Sequence, residues 1–532
     1  MTEKSVVDQH GYVRSLFEKI PKEWRIDESP SDKRPIDSVL SLDEIMDIKP
    51  INILDLISKG ELKSLQVVKS FAYRASIAHQ LTNCLTEIFF EDAFQRAKEL
   101  DDYFEKNGET IGPLHGLPIS VKDEFDIKGV KTTLGLISRI NDPAQTEFSP
   151  NLKILYDQGA VFFVKTNVPI GAFNRMTFNN LFGTTVSPYD ISCNVGGSSG
   201  GEAALVSMKG SAFGIGSDLG GSIRQPAAFA GLYGLRTSSL RVPHYNRNSV
   251  VAGLESLKGT NGPITRDLDS LKLYLRTIID TKPWLTNINV VPVEWNNNPK
   301  VDLKKLRVGV LSDDGINIPT PPIKRALKIV YESLKSVGVE IVEVKKQTRD
   351  DIIQLANYAG AFMESSGNTQ LIEEIGNEPV SYLADLKSTK DLKVSELWKL
   401  HIDRDIIQQK ILNWWNDSNV DVLISPITAQ TFLKNDEEFI DCTYGAFVNM
   451  LDFPSITFPV TKVTLADFSH EVNDINESTK QIYESFLTSD KETYVDKYPV
   501  NIQIIARRYQ EEYLIEVVHQ ITELIGTHDW WY

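Results

Sequence analysis

Two serines, Ser198 and Ser222, lie in runs of glycine. The first run is Gly196-Gly197-Ser198-Ser199-Gly200-Gly201; the second follows an Ala-rich stretch as Gly214-Ile215-Gly216-Ser217-Asp218-Leu219-Gly220-Gly221-Ser222-Ile223-Arg224. Glycine is needed where the backbone takes a positive φ or lies close against another group, and glycine loops at helix starts turn N–H groups toward an anion. A Walker phosphate loop requires GxxxxGK[ST], and the residue after Gly201 is Glu202, whose carboxylate would repel a phosphate. A dinucleotide fingerprint fails as well, because Gly214, Gly216 and Gly220 are spaced one residue too long and Leu219 stands where the third glycine belongs. The nucleophile elbow GxSxG is met literally by Gly196-Gly197-Ser198-Ser199-Gly200, which would make Ser198 the nucleophile of a hydrolase with a downstream acid and histidine. His244, His401, His470, His519 and His528 follow it, but none lies in a glycine-supported loop. Ser192-Cys193-Asn194-Val195 also makes a poor buried strand to lead into an elbow.

A serine can be activated by a neutral lysine instead. Lys122 closes the short apolar, partly β-branched run Leu117-Pro118-Ile119-Ser120-Val121, which Gly112-Pro113 and Gly116 introduce. An amine drawn into low dielectric there would have to fall by roughly three units from a reference pKa of ~10.4 to be substantially neutral near pH 7, and burial can supply that. Taken alone, Lys122 reads as a surface lysine with a snorkelling stem.

Taken together, these residues resemble the amidase signature family of serine hydrolases. The similarity runs through Leu114-His115-Gly116-Leu117-Pro118-Ile119-Ser120-Val121-Lys122-Asp123, then Lys165-Thr166-Asn167-Val168-Pro169, then Gly196 to Arg224 and Gly231-Leu232-Tyr233-Gly234-Leu235-Arg236. Later echoes are Gly262-Pro263-Ile264, Leu451-Asp452-Phe453-Pro454 and Pro499-Val500-Asn501-Ile502-Gln503, so that the resemblance spans roughly residues 76–510. The surroundings of Lys282-Pro283-Trp284 and the late Leu-Asp-Phe-Pro segment look most like fungal acetamidase-type amidases.

The resemblance implies an α/β fold with a large mixed central sheet flanked by helices. It implies hydrolysis of carboxylic amides through an acyl-enzyme, with a small-molecule amide as partner and neither cofactor nor metal. Residue by residue, it puts the base on Lys122, a proton relay on Ser198 (held by a cis peptide bond) and the nucleophile on Ser222, so that Ser198 becomes a proton carrier. The backbone N–H groups of Leu219, Gly220, Gly221 and Ser222 would form an oxyanion hole, supported by Ser199, Asp218 and Arg224, the last two as an ion pair. Three positions depart from the family pattern: Ser187 stands where asparagine is usual before the proline, Asn194-Val195 precede the glycines, and Asn501 replaces a common glycine. Two other readings stay open, a glutaminase chain of a transamidation complex and a silent scaffold that kept the signature. Leu235-Arg236-Thr237-Ser238-Ser239-Leu240-Arg241-Val242-Pro243 looks more like the stand-alone amidases, and a silent scaffold would be expected to have lost one of Lys122, Ser198 and Ser222.

The elements that must hold these residues can be read from the rest of the chain. Its 532 residues, 41% apolar and 24% charged, are ample for a folded core. Strand-like runs occur at Val161-Phe162-Phe163-Val164, Leu306 to Leu311, Val339 to Val344 and Val420 to Pro426. A helical stretch from Pro322 to Val337 between the second and third makes a βαβ unit, hence an α/β class. Residues 1–75 read as a helical arm: Tyr12, Leu16, Phe17 and Ile20 share a face that Pro21 closes, further helices follow Pro30 and Pro35, Ser41-Leu42-Asp43-Glu44 resembles a cap, and Ser64 to Ile77 is amphipathic. Residues 76–532 then form the catalytic domain. Asn287 to Lys300 and the acidic Ala466 to Lys497 read as surface loops. Phe173, Phe178, Phe182 and Phe447 are candidates for an acyl pocket, and the terminal Trp530-Trp531-Tyr532 should dock on the body.

With 72 Asp plus Glu against 56 Lys plus Arg, the net charge of −16 disfavours nucleic acid and anionic membranes as partners. Cys84, Cys193 and Cys442 are too few and too far apart for a disulfide framework or a cysteine zinc site. Neither a leader pattern nor a spanning apolar stretch is present, so the chain reads as cytoplasmic. Assembly with further copies of itself is left open.

Overall fold

The structure, a computed structural model, describes residues 9–26, 34–36, 45–244, 248–366, 368–380, 383–440, 443–469 and 475–532. The Ser41–Glu44 cap, Pro30, Cys442, His470 and part of the acidic stretch, Asn473 and Asp474 included, lie outside them.

Eleven strands form one mixed sheet. In chain order they are β1 (Leu85–Ile88), β2 (Pro118–Lys122), β3 (Val161–Thr166), β4 (Gly214–Asp218), β5 (Tyr233–Arg236), β6 (Thr260–Thr265), β7 (Arg307–Val310), β8 (Glu340–Glu343), β9 (Val422–Ser425), β10 (Ser455–Lys462) and β11 (Pro499–Ile505). Across the sheet the order is β1-β3-β2-β4-β6-β5-β10-β11-β9-β7-β8. This is the α/β architecture expected, and β7 and β8 pair in parallel across the helix Pro321–Ser336 as the βαβ reading requires. Strands β2, β3 and β4 are buried along their whole length, which is why they read as near-continuous apolar or glycine runs without alternation.

Three helices matter for the site: α1 (Gln9–Glu18), α2 (Gly200–Ser207) and α3 (Thr443–Leu451). Every residue of α2 is buried, as expected of a helix enclosed by the core. Glycine in β4 permits its approach, since a Cβ on Gly214 would come within 1.9 Å of Glu202 Oε2.

Parallel pairing of β2 with β4, Ser120 against Gly214 and Val121 against Ile215, brings the C-terminal ends of both strands to one edge of the sheet. Lys122 and Ser217 therefore meet there. Asp190–Asn194, the strand before the first glycine run, belongs to a separate three-stranded sheet with Leu433–Lys434 and Val186–Ser187. One core cluster includes Ile20, Ile53 and Phe71 from the first 75 residues together with Val121, Ile215, Phe458 and Ile521.

The described part of the acidic stretch is not a loop. Glu477–Leu487 is a helix whose Asn476 side chain accepts from Thr479 N at 2.9 Å, and Lys491–Tyr494 adds a further turn. Ile482, Tyr483, Phe486 and Tyr494 are buried; acidic and polar neighbours on the opposite face hid that apolar stripe. Asn287 to Lys300, by contrast, contains only the irregular chain expected of it. The four phenylalanines do not share a pocket. Phe447 is in the core beside Trp415 and Tyr444, Phe182 packs with Tyr12 and Leu16, Phe173 joins the Leu134 cluster, and Phe178 is exposed. At the C-terminus, Trp531 Nε1 donates to Gly231 O at 2.8 Å and the Arg266 guanidinium lies over the Tyr532 ring, so the tail docks as expected. None of the described helices is long and apolar enough to cross a membrane.

Candidate active site

Lys122 is fully buried at the end of β2, so the snorkelling reading is set aside. Its Nζ lies 2.8 Å from Ser198 Oγ, 2.7 Å from Ser217 Oγ and 2.9 Å from Glu124 Oε2, one partner for each ammonium proton. Ser198 follows a cis peptide bond from Gly197. Asn194, one of the departures from the family pattern, anchors this loop: its Oδ1 accepts from Gly196 N at 2.9 Å and Thr177 N at 3.0 Å.

The two glycine runs are stitched together through Ser199. Its N–H donates to Ser222 O at 3.1 Å, and its hydroxyl donates to Ser217 O at 3.3 Å. Ser198 and Ser222 thus stand on adjoining loops at the same edge of the sheet, both nearly buried, Ser222 the more exposed of the two.

Asp218 and Arg224 brace the second loop. They form a bidentate pair, Nε to Oδ2 and Nη2 to Oδ1 both at 3.0 Å, with neither side chain exposed. The carboxylate also accepts from Gly221 N at 2.7 Å, Ile223 N at 3.2 Å and Asn449 Nδ2 at 2.9 Å. Burial alone would raise this carboxyl. The Arg224 charge and these donors outweigh it and hold Asp218 well below the usual carboxylate range. Arg224 in turn donates to Gln503 Oε1 at 2.8 Å and Asn449 Oδ1 at 2.6 Å, tying the loop to β11 and α3. Gly221, with φ +123°, needs glycine, and its N–H is already given to Asp218; the N–H groups of Leu219, Gly220 and Ser222 lie beside it on the same loop.

Arg175 lies across this loop. A Cβ on Gly221 would come within 2.9 Å of its Nη1 and one on Gly220 within 3.2 Å of its Nη2, so the glycines make room for a guanidinium. A cavity of about 510 Å³ opens beside the loops, lined by Glu124, Ser217, Asp218, Leu219, His244 and Leu257 among others. His244 is half-buried there with Nδ1 against Asn261 Oδ1, and burial keeps its ring below the ordinary histidine value. No group of three or more potential metal ligands occurs among the described residues.

Sequence analysis gave no role to Glu124, Ser217, Asn449, Gln503 or Arg175, although Ser217 and Gln503 stand within the quoted motif runs. Glu124 stands two residues beyond Lys122. Its N–H donates to Lys122 O at 2.7 Å, a tight turn that folds the side chain back toward the lysine. The other two departures are accommodated by local bonds, Ser187 Oγ accepting from Tyr189 N at 3.3 Å and Asn501 Nδ2 donating to Leu232 O at 2.9 Å.

Residues 66–515 match the family model described as Amidase. The chain belongs to the amidase family. It is similar to the acetamidase of Emericella nidulans, 34% identical over 96% of both chains, and to a probable amidase of Saccharomyces cerevisiae, 30% identical over 93% of this chain and 94% of that one. Among solved structures, a fatty acid amide hydrolase superposes with a TM-score of 0.90 at 30% identity, covering 98% of this amidase and 95% of its counterpart. A bacterial aryl acylamidase of the amidase signature family, 20% identical with a TM-score of 0.70, covers 91% of this chain and 98% of its own and shares the fold. This amidase is thus an amide-hydrolysing enzyme of the amidase signature family.

Proposed function

We propose that this amidase cleaves small carboxylic amides to carboxylate and ammonia or amine through an acyl-enzyme on Ser222, with residues 76–532 as the catalytic domain and residues 1–75 as a helical arm. The observation that carries the mechanism is the buried contact of Lys122 Nζ with Ser198 Oγ at 2.8 Å, on a loop bonded through Ser199 to Ser222. In the cycle, Ser222 Oγ gives its proton to Ser198 Oγ while Ser198 gives its own to the neutral Lys122 amine. Ser222 Oγ bonds to the amide carbon, and the carbonyl electrons move to oxygen. Leu219, Gly220 and Ser222 N–H groups receive that oxyanion, with Gly221 held in place by Asp218. Each such preorganised donor supplies about 3–4 kcal/mol in acyl transfer. The proton then returns along the same path to the departing amine, and water, activated by the relay, releases the acid.

Short acyl amides such as acetamide are the proposed substrates, because relatives similar over nearly the whole chain are named acetamidases. That likeness also supports a stand-alone amidase over a glutaminase chain of a larger complex or a silent scaffold. The test is turnover by the purified chain of acetamide, longer alkyl amides, benzamide and the matching esters. Mass spectrometry should find the acyl group on Ser222 and none in Ser222→Ala. A label on Ser198 instead would restore the elbow reading.

A further inference from the structure

Beside Lys122 stands an acid that the relay does not use. Glu124 Oε2 is 2.9 Å from Lys122 Nζ, with the lysine side chain fully buried and the glutamate side chain 11% exposed. Ser217 completes a ring: its hydroxyl accepts from Lys122 at 2.7 Å and donates to that same Glu124 Oε2. Burial alone would push the Glu124 carboxyl up. The charge of Lys122, followed by the Ser217 hydroxyl, outweighs burial and holds it below the usual carboxylate range.

Other titratable groups face the pair from neighbouring elements. His244 approaches Glu124 from the loop after β5, and burial holds its ring below the ordinary histidine value. Glu202 of α2 accepts from the Ser120 and Thr166 hydroxyls, and burial raises it to about 8, leaving it mostly uncharged at neutral pH. Asp123 turns away to Lys165 at 2.7 Å, and Asp218 turns to Arg224. Among the described residues, Glu124 is therefore the ionised group in contact with Lys122.

A neutral amine has two N–H groups and one lone pair. With its N–H groups given to Glu124 and Ser217, the lone pair of Lys122 is left facing Ser198 Oγ, the direction from which the proton must come. Building on the relay proposed above, we propose that Glu124 is the positioning residue of the base, aiming the Lys122 lone pair at Ser198 and serving as counter-ion to the ammonium formed during attack. Glu124 takes no proton and forms no bond. The amine–carboxylate pair carries one negative charge before transfer and none after it, so low dielectric favours the step that makes the ammonium. The acid behind a catalytic imidazole works in the same way. The same attraction has a cost on the acid side, because it favours the protonated lysine that cannot accept the Ser198 proton.

The test is the pH profile of kcat and KM with acetamide for the wild type, Glu124→Gln, Glu124→Asp and Lys122→Ala. Glu124→Gln is expected to lower plateau kcat by about a hundredfold with KM within about twofold. Its acid limb should move to lower pH, since loss of the anion removes an attraction that favours the ammonium. Glu124→Asp, which keeps the charge, should recover part of kcat and hold the limb near the wild-type position. A Gln variant with wild-type kcat and limb overturns the proposal. If Lys122→Ala keeps the wild-type limb, the relay itself is wrong; if it loses the limb while Glu124→Gln leaves it in place, only the counter-ion role falls. Should Glu124→Gln not fold, Ser217→Ala reads the same ring from its other member: a fall in kcat at constant KM supports the arrangement, and an unchanged kcat overturns it.

Discussion

Lys122 and Lys165 stand on the neighbouring parallel strands β2 and β3, both fully buried and both paired with an acid from the turn after β2. Asp123 and Glu124 are consecutive, yet the first goes to Lys165 and the second to Lys122. Each amine has three oxygen partners. Those of Lys165 are Lys131 O and Thr132 Oγ1, both at 2.8 Å, and Asp123 Oδ1 at 2.7 Å. Asp123 is sealed further by Thr133 Oγ1 at 2.6 Å. Those of Lys122 include two hydroxyls that can pass protons and an acid that lines a cavity. Burial and ion pairing are common to both lysines, so neither marks a base. Both lysines also have a hydroxyl partner; what separates them is that Glu124 and Ser217 line a cavity that water and substrate can enter, whereas the partners of Lys165 do not.

The largest effect should come from Lys122→Met, which is expected to lower kcat by about a thousandfold or more while leaving most of the stability intact, because Glu124 can be hydrated from the cavity. Steady-state kinetics beside chemical denaturation measures both, and retained activity would break the contrast. Lys165→Met should do the reverse, costing about 3–5 kcal/mol by stranding Asp123 in a dry interior. A denaturation midpoint equal to that of the wild type would show that Asp123 finds water after all. Asp218→Asn should come next, with kcat down about tenfold to a hundredfold through a loosened Gly221 loop. The Asp218 carboxyl is depressed on folding, so its stabilisation is present above the unfolded value of about 3.9 and is lost as pH falls below it; the variant should show a flatter acid limb in thermal melting. Glu202→Gln should have the mildest effect on turnover, its signature being in stability against pH. The Glu202 carboxyl is raised to about 8, so wild-type stability falls between its unfolded value of about 4.3 and that pH, and the variant should melt near the wild type at pH 5 but above it at pH 9.

Much of the frame was legible because the information was local. The continuous apolar run at Val161 to Val164, the βαβ unit and the glycine spacing around Ser198 and Ser222 each depend on neighbours a few residues apart. Lys122 was singled out by the strand it ends. Glu124 was missed because its role depends on a tight turn after β2, Ser217 because strand register brings it to Lys122 from 95 positions away, and Asn449 and Gln503 because they meet Arg224 from more than 200 positions away. Gln503 is 279 residues from Arg224, which it meets, and nothing in the spacing announces that pairing. The Glu477–Leu487 helix was misread for a different reason: charge density on one face outweighed the three buried apolar positions, Ile482, Tyr483 and Phe486, on the other.

The contact between α1 and β1 bears on how copies of the chain behave toward one another. β1 is an outer strand of the sheet, and Tyr12 donates to the buried Glu87 on it while Lys19 reaches that carboxylate at 3.5 Å. An outer strand offers a row of backbone groups to any other chain that can pair with it. Here the helix lies over one rim, and the far rim, β8, presents exposed Glu340 and Glu343. One rim is shielded by a cover and the other by charge repulsion. Loosening α1, for instance through loss of its hold on Glu87, would leave the loops around Lys122 in place and open β1 to edge-to-edge pairing between copies as their concentration rises.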